Sequence, residues 1–193
     1  MTKKQAKNTD QTKLIKPSML SAACIVPPKS VWDQIQRIRS EHDKSYNRWM
    51  PHINLLYPFV PPNCFEDAVK TLESDLTFKQ LRPFNVIMQN IQYKDDAKYL
   101  NVFPQEVEQT STTIIKVQST LQKCFPHCSH TGGSIFSPHL TLGQFEKEEI
   151  SFHSRSIQEE WIPIEFLVTE IHFLSRKSTS DPFQITKVIK LPS

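Results

Sequence analysis

Two short segments, Met50-Pro51-His52-Ile53-Asn54-Leu55 and Ser137-Pro138-His139-Leu140-Thr141-Leu142, repeat one pattern within a 193-residue chain. Each reads as a buried strand entered through a proline, with a histidine followed two places on by a small polar residue. Side chains alternate across a strand, so residues i and i+2 share a face. His52 and Asn54 therefore point one way while Ile53 and Leu55 pack the other. His139 and Thr141 stand in the same relation to Leu140 and Leu142. Two such strands side by side present two imidazoles and two short hydrogen-bonding groups to one shared cleft.

The segments around this pair read as alternating strands and helices. Residues 21–26 are a short apolar strand closed by Pro27-Pro28, followed by a helix with Val31, Ile35 and Ile38 at helical spacing and Ser30 as N-cap. The first histidine strand covers 52–57, and a helix over 65–75 carries Phe65, Ala68, Val69 and Leu72 on one stripe. Residues 84–93 and 99–103 bracket a charged turn as a hairpin, and a long helix is expected over 105–124. A loop over 125–136 leads to the second histidine strand, 137–142, which Gly143 ends. A helix over 145–160 and strands over 164–175 and 183–191 complete the chain. This order repeats loosely and implies an α+β fold of two similar lobes, each giving one histidine strand to a central cleft.

Composition narrows the class. A hydrophobic content of 38% and a charged content of 22% fit one folded globular domain, expected over 18–193. Residues 1–17 carry five lysines and almost no apolar pattern, and are expected to form a flexible basic tail. The net charge of +3 is too small to imply duplex binding yet does not repel a phosphate-bearing ligand. Cys24, Cys64, Cys124 and Cys128 show no disulfide framework and read as reduced thiols of a cytoplasmic or nuclear protein. No apolar run reaches the length of a membrane span, so no membrane partner is expected.

The doubled H-x-[Thr/Ser]-hydrophobic pattern resembles the two-histidine (2H) phosphoesterase superfamily. Its flanks, "WMPHINLLYPF" and "SPHLTLGQF", are similar to the 2′-5′ RNA ligase-like and cyclic phosphodiesterase branch. The second motif matches in full, whereas Asn54 stands where Thr or Ser is usual. The resemblance implies two pseudo-symmetric lobes with antiparallel sheets facing a central cleft and helices outside. It also implies a hydrolase for RNA ends or nucleotides, acting as a monomer on 2′,3′-cyclic phosphates or 2′-5′ bonds.

The chemistry follows from the residue types. Histidine serves as general acid or base because its unperturbed pKa is about 6.5. His52 and His139 are therefore the expected catalytic pair, one neutral and one cationic, and their order is open. Asn54 and Thr141 are expected to donate to non-bridging phosphate oxygens. Tyr57, Phe59 and Phe136 are candidates to stack on a nucleobase, and Arg48 and Arg176 to contact a phosphate. Neither a cofactor nor a metal is expected. Cys124, His127, Cys128 and His130 are zinc-ligand types, but their spacing matches no common finger. His42, His153 and His172 read as surface or packing residues. A module that binds nucleotides or RNA ends with little turnover, and a 3′-to-5′ trimming exoribonuclease, both remain open.

Overall fold

The computed structural model describes residues 16–93, 98–106, 112–128 and 135–193. The expected basic tail falls almost wholly outside the described residues. The elements are β1 (Ser21–Ile25), α1 (Trp32–His42), β2 (Ile53–Leu56), α2 (Phe65–Ser74), β3 (Phe84–Gln92) and β4 (Tyr99–Glu106). They continue with α3 (Thr112–Cys124), β5 (Leu140–Gln144), α4 (Ile150–Glu160), β6 (Ile164–Val168), β7 (Glu170–Ser175) and β8 (Gln184–Lys190).

The strands form two antiparallel four-stranded sheets, ordered β2-β1-β7-β8 and β5-β4-β3-β6. The fold is α+β with two lobes, as expected. The two histidine strands are not side by side, however. β2 is the edge of one sheet and β5 the edge of the other. Helix α1 packs on β5 while α3 packs on β2, so each histidine strand is backed by a helix from the other lobe.

Position in the sheet explains the strand sequences. β1 and β7 are central, and β1 is buried at every residue, which is why SAACI shows no alternation. β6 is an edge and alternates strictly, with Ile164, Phe166 and Val168 buried. The expected single strand over 164–175 is two strands, because the chain leaves the second sheet at Thr169 and enters the middle of the first. Helix α2 buries Phe65, Ala68 and Leu72 on one stripe. Each large apolar side chain of that kind contributes about 1.5–3 kcal/mol when fully buried.

Other boundaries differ from the sequence reading for local reasons. Ser30 caps nothing, since it lies inside a 3₁₀ turn over Lys29–Val31 and α1 starts at Trp32 without a side-chain cap. Residues 105 and 106 extend β4 opposite Ile87 and Val86 rather than opening a helix. Pro104 has no N–H to give the ladder, and β3 bulges beside it between Met88 and Asn90. Helix α4 begins at Ile150, after a turn. Phe59 is fully buried, edge-on to Phe125 at 5.1 Å and against Phe173 at 4.7 Å, so it is a core residue and no stacking platform.

Gly143 does not end β5, which continues to Gln144. A Cβ built at Gly143 would lie 2.6 Å from Cβ of His42 and 3.1 Å from its carbonyl oxygen, so this glycine sets how closely α1 seats on β5. Gly143→Ala is expected to destabilise the protein by about 1–3 kcal/mol through overpacking. A urea melt checks this, with a lower midpoint at unchanged slope as the expected result.

Candidate functional site

The two histidines sit at the mouths of their strands, one residue before β2 and one before β5. Proline at 51 and 138 cannot donate to a ladder, and each histidine bonds locally instead. His52 Nδ1 lies 2.7 Å from the Met50 carbonyl oxygen, and His139 Nδ1 lies 2.8 Å from that of Ser137. A carbonyl can only accept, so Nδ1 of both rings carries the proton. The neutral ring then has its lone pair on Nε2. The same local geometry thus sets the same tautomer twice.

His52 stacks on Trp49, with centroids 4.4 Å apart and planes within 19°. Trp49 in turn packs on Phe183 at 3.9 Å. One edge of the imidazole reaches a cleft, but the ring is otherwise enclosed. Its pKa is pushed down from 6.5 to about 4, first by burial, then by the charges of Arg39 and His139, against the Met50 hydrogen bond and Asp43. That His52 feels the charge of His139 puts the two rings within electrostatic reach of each other.

The cleft between the sheet edges encloses about 280 Å³. Trp49, His52, Asn54 and Tyr57 line it from the first lobe, and Tyr99, Thr141 and Gln144 from the second. Asn54 Nδ2 donates to His52 Nε2 at 3.0 Å, and its Oδ1 accepts from the Cys24 thiol at 3.2 Å. Thr141 Oγ1 donates to Oδ1 of Asn101 on β4 at 2.9 Å. Both motif strands also bulge at the same place. Ala23 faces Leu56 while Cys24 faces Asn54, which leaves Leu55 as the extra residue. Leu100 faces Gly143 while Asn101 faces Thr141, which leaves Leu142. The bulge therefore falls three residues after the histidine in each lobe.

A buried ion pair closes the cleft beneath these groups. Arg39 is 2% exposed, and its Nε donates to Asp43 Oδ2 at 2.8 Å. Its other nitrogens donate to Gln36 Oε1 at 2.8 Å and to the Trp49 carbonyl at 2.7 Å. Asp43 Oδ1 accepts from the Ser45 N–H at 2.8 Å and from Gln144 Nε2 at 3.1 Å, and Gln144 Oε1 accepts from the Lys44 N–H at 2.7 Å. The pair thus holds Trp49 on one side and the end of β5 on the other. Sequence reading missed this network; the i, i+4 spacing of Arg39 and Asp43 was its one visible sign.

The flanking candidates are placed differently from one another. Tyr57 lines the cleft, and its hydroxyl accepts from Arg176 Nη2 at 3.2 Å. The Arg176 guanidinium also donates to the carbonyls of Met19 and Thr179, at 3.0 and 2.7 Å, and lies over Phe183 at 4.4 Å. Arg48 is exposed, reaches Ser45 Oγ at 3.2 Å and does not line the cavity. Phe136 packs half-buried against the main core and does not line it either. Tyr99, 51% exposed on the second lobe's wall, is an aromatic that the sequence reading passed over.

Among the described residues no group of three or more His, Cys, Asp or Glu can hold a metal ion. His130 of the Cys124–His130 cluster lies outside them, and burial pushes the Cys124 and Cys128 thiols up to about 11. His42 and His153 pack tilted against Phe145 beside a second cavity, of about 270 Å³, between α1 and α4. His172 is buried and bonds Glu170 at 3.1 Å. No helix among the described residues is long and apolar enough to cross a membrane.

Two matched histidine motifs on facing sheet edges are the arrangement that the two-histidine resemblance implies. The sequence profile of the 2′-5′ RNA ligase superfamily matches residues 27–180, and the chain belongs to that family. A search of curated proteins found no match. Among solved structures, the protein TT0787 of Thermus thermophilus superposes with a TM-score of 0.59 at 12% identity, over 90% of this chain and 98% of its own. E. coli LigT complexed with 3′-AMP gives 0.58 at 16%, over 90% and 98%, and LigT complexed with ATP gives 0.56 at 15%, over 92% and 100%. At such identities the likeness is one of fold.

His52 is held below its free value, so the unfolded chain binds more protons between about pH 4 and 6.5. The stability this contributes is complete above pH 6.5 and drains away as pH falls toward about 4. Trp49→Ala removes much of the enclosure, and the His52 ring is then expected to titrate closer to 6.5 than to 4. Histidine ring NMR across a pH series reads this directly.

Proposed function

We propose that the chain is a metal-independent phosphodiesterase of RNA ends or nucleotides, acting on 2′,3′-cyclic phosphates or 2′-5′ bonds. The observation that carries this reading is the pair of imidazoles with one tautomer, each proton-bearing Nδ1 bonded to a carbonyl, at the mouths of the two edge strands. His52 lines the cavity between those edges, while His139 lies exposed outside its lining, close enough for its charge to act on His52. His52, low in pKa and neutral at pH 7, acts as the base. Its Nε2 takes the proton of the attacking water or hydroxyl once the Asn54 amide has yielded. His139, on the more exposed side, enters protonated and delivers its proton to the leaving oxygen. The two proton transfers balance, and the ring pair is reset by exchange with solvent.

Thr141 turns its hydroxyl from Asn101 to a non-bridging oxygen, and the second N–H of Asn54 supplies a donor from the opposite lobe. Tyr57 and Tyr99 offer aromatic faces to a base, which suits a ligand of nucleotide type. The fold relative LigT has been solved with ATP, NADP+ and 3′-AMP, which favours the same ligand class here.

The test is hydrolysis with EDTA present, on 2′,3′-cyclic nucleotides, RNA ending in cyclic phosphate, 2′-5′ oligoadenylate and 3′-5′ RNA. Cleavage of a cyclic phosphate or a 2′-5′ bond is expected to persist in EDTA. It should fall by about 10²–10⁴-fold in His52→Ala and in His139→Ala. A bell-shaped pH profile should place its acid limb well below pH 6.5, as the His52 value requires. Binding of nucleotides with no cleavage of any substrate would refute the enzyme reading and leave a binding module.

A further inference from the structure

The polar residues across the two histidine strands are paired in opposite order. On the second lobe the small X–H group, Thr141, sits on the histidine strand and the amide, Asn101, sits directly opposite on the neighbouring strand. On the first lobe the amide, Asn54, sits on the histidine strand and the small X–H group, Cys24, sits directly opposite. In both lobes the X–H group donates to the amide oxygen, at 2.9 Å from Thr141 and 3.2 Å from Cys24.

We infer that Cys24 is a positioning residue for the first histidine, and that Cys24 and Asn54 form one functional pair, the strand-swapped counterpart of Asn101 and Thr141. The inference rests on the two-histidine reading above. It turns the departure at Asn54 from a lost motif residue into half of a compensated exchange.

The physical argument is one of orientation. An amide can present either its oxygen or its nitrogen to a neighbour, and only its other partners decide which. Cys24 is fully enclosed, and burial pushes its thiol well up, so it keeps its proton and remains a donor. A donor can be met only by Oδ1, which leaves Nδ2 turned to His52 Nε2 at 3.0 Å. An N–H aimed at Nε2 favours the neutral ring. The reversed amide would aim its oxygen there and favour the imidazolium. Without the thiol the amide is free to reverse, and His52 gains a reason to protonate. The charged groups felt by His52, namely Arg39, Asp43 and His139, are untouched by a change at Cys24.

The experiment compares Cys24→Ala and Cys24→Val, which lack the donor, with Cys24→Ser, which keeps one. His52 titration is followed by ring NMR, and kcat and KM are measured on whichever substrate the wild type cleaves. The donorless variants are expected to raise the His52 titration by about one pH unit and lower kcat about five- to tenfold, with KM nearly unchanged. Cys24→Ser should restore both. The exchange Cys24→Asn/Asn54→Thr, which rebuilds the second lobe's order, should be more active than Asn54→Thr alone. Unchanged His52 titration in a folded donorless variant, or a double exchange no better than the single, would overturn the inference. Should the wild type cleave none of the substrates, the titration still decides, so failure of the enzyme reading and failure of this one are told apart. Val, closer in size to Cys, serves if the Ala variant does not fold.

Discussion

Arg39 and Asp43 bring two opposite charges into an interior where each alone would cost several kcal/mol. Such a pair persists only if its remaining donors and acceptors are used, and here they are. Gln36, the Trp49 carbonyl, the Ser45 N–H and Gln144 complete it. Because Trp49 backs His52 while Gln144 lies on the strand that begins beside His139, satisfying the ion pair also fixes the two sheet edges against each other. Removing one partner would leave an uncompensated charge under the cleft. The geometry of the site is therefore coupled to the stability of the α1 end. Gly143 belongs to the same constraint, since its missing Cβ is what lets α1 approach β5.

The lobes are alike in their local devices and unlike in their chemistry. Each has a proline before its histidine, an Nδ1 bond to the carbonyl two residues back, and a bulge three residues after. These repeated features set tautomer and direction. The environments differ, because His52 is roofed by Trp49 and the charge of Arg39, whereas His139 lies on the more exposed rim. Two groups of one kind thus sit in different surroundings, and enclosure holds His52 below the ordinary histidine value.

Much of the site was legible because its signals are local. Pro-His-x-polar at positions 51–54 and 138–141 carries its own direction through strand alternation, and the helical stripe of Phe65, Ala68 and Leu72 needs no partner to be read. Phe59 misled because an aromatic beside a motif looks the same whether it faces the cleft or the core. The long strand expected over 164–175 misled because its apolar residues run on through Thr169, although two different sheets bury them.

The sequence by itself determined the two histidines, their polar companions and the two-lobe α+β plan, since each rests on spacing within a few residues. The tertiary structure alone decided that β2 and β5 are edges of separate sheets and that each is backed by the other lobe's helix. It also decided that Cys24 faces Asn54 as Asn101 faces Thr141. Those facts depend on register and sheet membership between residues 30 or more positions apart. Side-chain pattern specifies which face a residue takes, and only the packed sheets specify what stands opposite it.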